Sequence, residues 1–315
     1  MGIIQGCNMC KSTPEFGEID TNNLRNNMLA KKKFEEKIKN NNMLIIRNND
    51  FSKIISNYNA SGEDIELPPE IIKTKPQNGF QTELIQFDNG DAYQGYYNEK
   101  NIKEGYGIYI KKNGFIYKGL WNNDKIGEYG LFITPEGNYY KGNLINGIAN
   151  GEGEMMINQN IKYKGNFTNN LPNKRGKLIN LVDNSIYEGD LVNGRKEGKG
   201  TITFVDGTIY EGDFINDKYE GYGKLTYKNG CVYEGQFKNN NLNGKGKYIF
   251  QDGKEYNGDF YMGLKHGFGK LIWNENKYFQ GYWINNKQHG EGMFYINGRT
   301  LKGIFRYGKM IMIIN

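Results

Sequence analysis

Tyr210-Glu211-Gly212-Asp213-Phe214, followed by Gly221-Tyr222-Gly223-Lys224-Leu225-Thr226-Tyr227, is the stretch whose reading decides the fold. Tyr210, Gly212 and Phe214 alternate with polar residues, so they share one face of a strand. Gly221, Gly223, Leu225 and Tyr227 alternate in the same way. The short loop Ile215-Asn216-Asp217-Lys218 joins the two halves, and the whole reads as a β-hairpin. The unit then recurs. Tyr187, Tyr210, Tyr233 and Tyr256 open four copies at a step of 23, and Phe279 keeps the register. Upstream, Tyr93, Tyr117, Tyr140 and Tyr163 open four more at steps of 23 or 24, and Leu301-Lys302-Gly303-Ile304-Phe305 starts a truncated tenth. A fixed period in the twenties identifies a stacked array and argues against a globular enzyme.

The links between hairpins fit this reading. Three residues before the opening residue stands Gly (Gly90, Gly114, Gly137, Gly207, Gly230, Gly253, Gly298) or Asn (Asn160, Asn184, Asn276). These are the residues that tolerate positive φ, and pairs such as Asp206-Gly207 favour tight turns. Interior glycines weaken a strand unless another group must approach closely. Gly212, Gly221 and Gly223 are therefore expected to make room for the rings of Tyr210 and Phe214. With 24 Tyr and 17 Phe in the chain, rings carry most of the burial.

The pattern resembles the MORN repeat (membrane occupation and recognition nexus), whose signature is Tyr-x-Gly-x-Trp/Phe followed by Gly-x-Gly. The resemblance covers about residues 90–307. It implies an all-β fold: an elongated, twisted antiparallel meander of stacked hairpins with an aromatic-lined groove. At about 4.8 Å per strand, some 19 strands would extend roughly 90 Å. Lys174, with Leu171-Pro172 before it, departs from the pattern by replacing the first Gly of Gly-x-Gly. Glu128 does so in the second repeat, where Gly127 can serve with a shift. The repeats opening at Tyr93 and Tyr163 each carry an extra residue, expected to bulge or bend the sheet.

The chain is expected to divide into an N-terminal acylation segment (1–20), a basic helical region (21–58), a linker (59–79, with Pro68, Pro69 and Pro76) and the array (80–315). Gly2 becomes N-terminal once Met1 is removed and suits N-myristoylation, although Gly6 stands where Ser or Thr is strongest. Cys7 and Cys10 are the candidate palmitate acceptors. A single myristoyl chain gives only marginal binding, with an association constant on the order of 10⁴ M⁻¹. Lys31, Lys32, Lys33, Lys37 and Lys39, with Arg25, form a basic stretch suited to an anionic leaflet. Asp50, Phe51, Ile54, Ile55 and Tyr58 mark a second short helix, expected to dock on the array.

Catalytic chemistry is not expected. Glu211 with Asp213, and Glu188 with Asp190, resemble paired carboxylates, but they recur one repeat apart and alternate with the rings. They read as outward charges facing Lys199 and Lys224. His266 and His289, 23 residues apart, occupy the loop position that Glu197, Glu220 and Asn243 hold elsewhere, so no metal site is expected. Gly-x-Gly precedes no helix and is not a phosphate loop. A net charge of +6 without a basic block inside the repeats is weak ground for nucleic acid. Cys7, Cys10 and Cys231 are too few for a disulfide framework, which fits a reducing compartment, with Cys231 an ordinary strand thiol. No apolar run spans a bilayer. The tail Met310–Ile314 reads as a final edge strand suited to end-to-end dimerisation.

The expected function is a non-enzymatic scaffold, without cofactors, held by its N-terminus at the cytoplasmic face of a membrane. The partner protein, an apolar helix or extended peptide, would lie in the aromatic groove. The groove candidates are Tyr187, Phe214, Tyr233, Phe237, Tyr256, Phe260, Trp273 and Trp283. The alternatives are an axonemal or cortical cytoskeletal part, which would place the chain in a cilium or the cell cortex, and a direct phospholipid-binding module.

Overall fold

The computed structural model describes residues 65–77 and 79–314. The acylation segment, the basic helical region and the linker up to residue 64 lie outside them. So do Gly2, Cys7, Cys10, Lys31, Lys32, Lys33, Lys37 and Lys39. The described residues form twenty-two strands, β1 to β22 in chain order, and one short helix, α1 (Pro69–Ile72). The fold is all-β, antiparallel and built from hairpins, as the repeat requires.

Two compact units divide the chain. One runs to Gln159 and adds Phe167–Asn170; the other holds Asn160–Asn166 and the chain from Leu171 onward. In the first, β1 (Gly79–Gln81) and β2 (Ile85–Gln86) both pair with β3 (Ala92–Asn98). From β3 each strand pairs with the next, up to β7 (Tyr139–Ile145) with β8 (Ile148–Ile157). In the second, the same succession runs from β10 (Leu171–Asn180) to β22 (Lys309–Ile313).

One register feature recurs across the strands. Gly189, Gly200, Gly212, Gly223, Gly235, Gly246, Gly258, Gly269, Gly281, Gly292 and Gly303 each stand opposite the next on the neighbouring strand. Gly95, Gly107, Gly119, Gly130, Gly142 and Gly153 do the same in the first unit. The opening tyrosine lies on this stripe. A Cβ on Gly212 would stand 2.6 Å from the Tyr210 hydroxyl and 2.6 Å from the Gly223 Cα. Glycine is required here because a ring and a facing backbone occupy the side-chain space.

The hydroxyl explains why the opening residue is Tyr. Between Gly212 and Asp213 the register with β14 (Lys218–Thr226) shifts by a bulge. The shift leaves Gly221 and Tyr222 of β14 out of the ladder, and a carbonyl beside such a break needs another donor. Tyr210 Oη donates to the Asp213 carbonyl at 2.8 Å. The same bond runs from Tyr93, Tyr117, Tyr140, Tyr163, Tyr187, Tyr233 and Tyr256 to the carbonyl three residues on, at 2.6–3.0 Å.

Gly221 departs from expectation. Its φ is +63°, and a Cβ there would meet the Asp213 carboxylate, not a ring. It turns the backbone at the bulge so that Asp213 can accept from the Tyr222 N–H at 3.0 Å. Lys174, at the same repeat position, is forced to φ +59° despite its side chain. The extra residues of the Tyr93 and Tyr163 repeats sit in turns, at 98–102 and 181–184. Within the hairpins, Asn216 and Asp217 both have positive φ, as a tight two-residue turn demands. Asn160 and Asn276 do not adopt positive φ; near the first, Asn158 and Gln159 do.

The first unit has a second core on the opposite face. Ala92, Ile110, Ile116, Leu131, Ile133 and Tyr139 point away from the rings and are buried with Leu67; Ile65, Ile71 and Leu84 pack against them. Part of the stretch read as a linker is therefore a packed cover. At the far end β22 is formed, with Ile311, Met312 and Ile313 exposed.

Gly212→Ala is expected to lower stability by about 1–3 kcal/mol, because backbone must move to admit one methyl group. Lys174→Gly is expected to raise it by about 1 kcal/mol by relieving left-handed strain. Urea unfolding midpoints, with hydrogen exchange to localise the change, check both.

Candidate functional site: the inner aromatic face

Rings from successive repeats interlock in a row. Tyr187 meets Phe214 edge-to-face at 5.1 Å between centroids, Phe214 meets Tyr210 at 5.2 Å, and Tyr210 meets Phe237 at 5.0 Å. The row continues through Tyr233, Phe260, Tyr256, Trp283, Phe279 and Phe305, with spacings of 5.0–5.4 Å. Tyr210, Tyr233 and Tyr256 are thus each held between the ring of their own repeat and the ring of the next, in the geometry that aromatic quadrupoles favour, while Tyr187 has Leu191 in place of the first ring. In the first unit Trp121 stands edge-on to both Tyr93 and Tyr117 at 5.4 Å. Trp121 and Trp283 indoles also donate to the Gly107 and Gly269 carbonyls.

This places the groove candidates. Tyr187, Phe214, Tyr233, Phe237, Tyr256, Phe260 and Trp283 are buried in the row, and Trp273 is half-buried beside it, stacked on Phe294 at 5.9 Å. The row forms a closed floor; the side chains offered above it are mostly others. Tyr227, Tyr248 and Phe250 are half-buried, with Tyr248 in contact with both (6.1 and 4.7 Å). A further layer comes from the residue nine positions after each opening aromatic, ten in the first repeat. Tyr219 stacks on Tyr210 at 3.7 Å. Lys196 Nζ lies 5.4 Å over Tyr187, and Lys103 Nζ 5.3 Å over Trp121. Sequence reasoning missed these lysines, although their alternation with the inner glycines would have placed them on this face.

Burial sets their electrostatics. Lys103 and Lys196 have pKa values lowered by desolvation, which Asp124 and Asp217 oppose across 3.6 and 3.8 Å. The floor tyrosines are shifted up, also by burial; Tyr163 reaches about 12, as does Tyr219 above the floor.

The outer face of the second unit is charged. Lys199 pairs with Asp213 and Lys245 with Asp259, each at 2.6 Å, and Lys177 pairs with Glu188 at 2.7 Å. Glu211 stands opposite Lys224 in register. Tyr222, Phe268 and Tyr282 are exposed on this face. His266 and His289 lie against Tyr261 and Tyr307. Among the described residues no three or more His, Cys, Asp or Glu converge as a metal site would require. No helix among them is long and apolar enough to cross a membrane. Cys231 is a buried free thiol.

The family model described as MORN repeat matches residues 93–115, 117–139, 187–209, 210–232, 233–255, 256–276 and 279–298. Between them, Tyr140 and Tyr163 keep the same hydroxyl bond in the unmatched stretch. No protein of curated function matches the sequence. Among solved structures, the TCP10 domain of Danio rerio CPAP aligns at 13% identity and a TM-score of 0.31, covering 74% of this chain and 99% of that one. The SAS-4 TCP domain of Drosophila melanogaster, solved with a proline-rich motif of Ana2, aligns at 11% and 0.23, covering 65% and 90%. Both superpositions are loose and neither bears on what this chain binds.

Alkaline pH should expose the buried phenols. An unfolded Tyr ionises near pH 10, and the folded Tyr163 and Tyr219 near 12. The folded state holds more protons between those values, so stability is full below about pH 10 and falls as pH rises through about 12. Phenolate absorbance of the native protein should lag that of the urea-unfolded chain over this window.

Proposed function

We propose that this chain, which belongs to the MORN repeat family, is a non-enzymatic scaffold that receives a partner protein on its inner aromatic face while an acylated N-terminus holds it at a membrane. The observation that carries the binding reading is the layering of that face. A floor of interlocked rings is fixed by burial, and half-buried Tyr227, Tyr248, Phe250 and Trp273 lie around it. A preformed apolar surface of this kind loses little entropy on binding, and it suits the apolar side of a helix or an extended peptide. The membrane part of the proposal rests on Gly2, Cys7, Cys10 and the lysines from Lys31 to Lys39. Direct phospholipid binding by the array is the weaker reading, because the outer-face cations Lys177, Lys199 and Lys245 are taken up by carboxylates.

Two measurements test it. A photo-crosslinking residue at position 273 should capture a partner protein, and one at Tyr222 on the outer face should not; equal capture at both contradicts the inner-face reading. In fractionation, the wild type should carry a myristoyl mass and sediment with membranes, and Gly2→Ala should turn soluble. Cosedimentation of both forms with cytoskeleton, with Gly2 unmodified, would favour an axonemal or cortical role instead.

A further inference from the structure

The layer above the rings follows a charge rule that is broken once. In five repeats the backbone N–H of the covering residue donates to a side-chain oxygen from the following hairpin turn. The pairs are Lys103 to Asp124, Ala149 to Asn170, Lys196 to Asp217, Tyr219 to Asn240 and Lys265 to Asn286, at 2.7–3.0 Å. Elsewhere the turn position is Gly147, Gly194, Gly263 or Gly308, and the covering residue is the uncharged Ile126, Pro172, Leu242 or Gln288. Lysine thus goes with Asp, and an uncharged residue with Asn or Gly. Lys265 alone combines a lysine with Asn286. The amide keeps the backbone bond at 2.9 Å and omits the charge.

The consequence is a half-buried cation without a counterion. Lys265 Nζ lies 5.0 Å from the Trp283 ring, 5.5 Å from Phe250 and 5.7 Å from Tyr256. Among the described residues no carboxylate stands within ion-pair distance of it. Burial lowers its pKa with no acidic group opposing, unlike Lys103 and Lys196. Rings attract a cation but leave its N–H donors unbonded.

We infer that Lys265 is a carboxylate-recognition point: an Asp or Glu side chain of the partner takes the place that the Asp217 carboxylate holds beside Lys196. A single ammonium between rings matches one carboxylate, whereas a phosphate dianion calls for a second cation. A charge-assisted bond in so desolvated a place fixes the register of a peptide along the inner face. The inference rests on the proposed inner-face binding.

Asn286→Asp tests it in the full chain, because the Asp retains the clamp on the Lys265 N–H and supplies the counterion internally. With lysines reductively ¹³C-methylated, sodium acetate should shift the Lys265 resonance saturably in the wild type and not in Asn286→Asp. Lys103 and Lys196 serve as internal controls. A Lys265 response no larger than theirs, or one stronger to inorganic phosphate or phosphatidylserine vesicles than to acetate, overturns the inference. Partner capture through position 273 should fall at least about tenfold in Asn286→Asp, the loss expected for a charged hydrogen bond. Undiminished capture overturns the carboxylate assignment while leaving inner-face binding intact. Absent capture in the wild type removes inner-face binding, and the acetate titration still decides the anion site.

Discussion

A tyrosine ring lying flat on a pair of facing glycines is the contact on which the rest of the structure depends. It accounts for several sequence features at once. The glycines must lack side chains because the ring takes their space. The hydroxyl reaches a carbonyl beside a bulge, although the Phe279 repeat carries the same bulge without one. The aromatic four residues later, as Phe214 after Tyr210, closes one edge of the ring, a place that Leu144 and Leu191 take in two repeats. The next repeat's aromatic closes the other. A single sheet face normally needs a second layer to bury it. Here the inner face of each hairpin is buried largely by its neighbours, so an array can form a core without one.

The opposite face shows what happens when the repeat alone does not suffice. In the first unit the residues before the opening tyrosines are apolar, as in Ala92, Ile116 and Tyr139, and chain from 65 to 84 covers them. In the second unit the same positions hold Ile186, Ile209, Val232, Glu255 and Tyr278, and ion pairs such as Lys199 with Asp213 also lie on that side.

The hairpins and the membership of the inner face were legible in the sequence, because period two and period 23 coincide at Tyr210, Gly212 and Phe214. The role of Gly221 was not, since a bulge moves the backbone out of simple alternation. Packing of Leu67 and Ile71 was hidden by the prolines around them, which read as a linker. The groove candidates lay on the face assigned to them, but Tyr233 and Tyr256 are entirely buried. Periodicity gives the side a ring points to; how far the next repeat closes over it depends on packing. The unpaired charge at Lys265 was open to discovery from sequence only by aligning each covering residue with a turn residue 21 positions on.

The central claim is that interlocked rings, and not the backbone ladder alone, join one repeat to the next. A double-mutant cycle on Tyr210→Leu and Phe237→Leu, read from urea unfolding, tests it most directly. The 5.0 Å edge-to-face contact predicts a coupling of about 0.5–1.5 kcal/mol. Tyr210 paired with Trp283, which belong to distant repeats, should add within about 0.5 kcal/mol. A Tyr210–Phe237 coupling no larger than that of the distant pair would contradict the account.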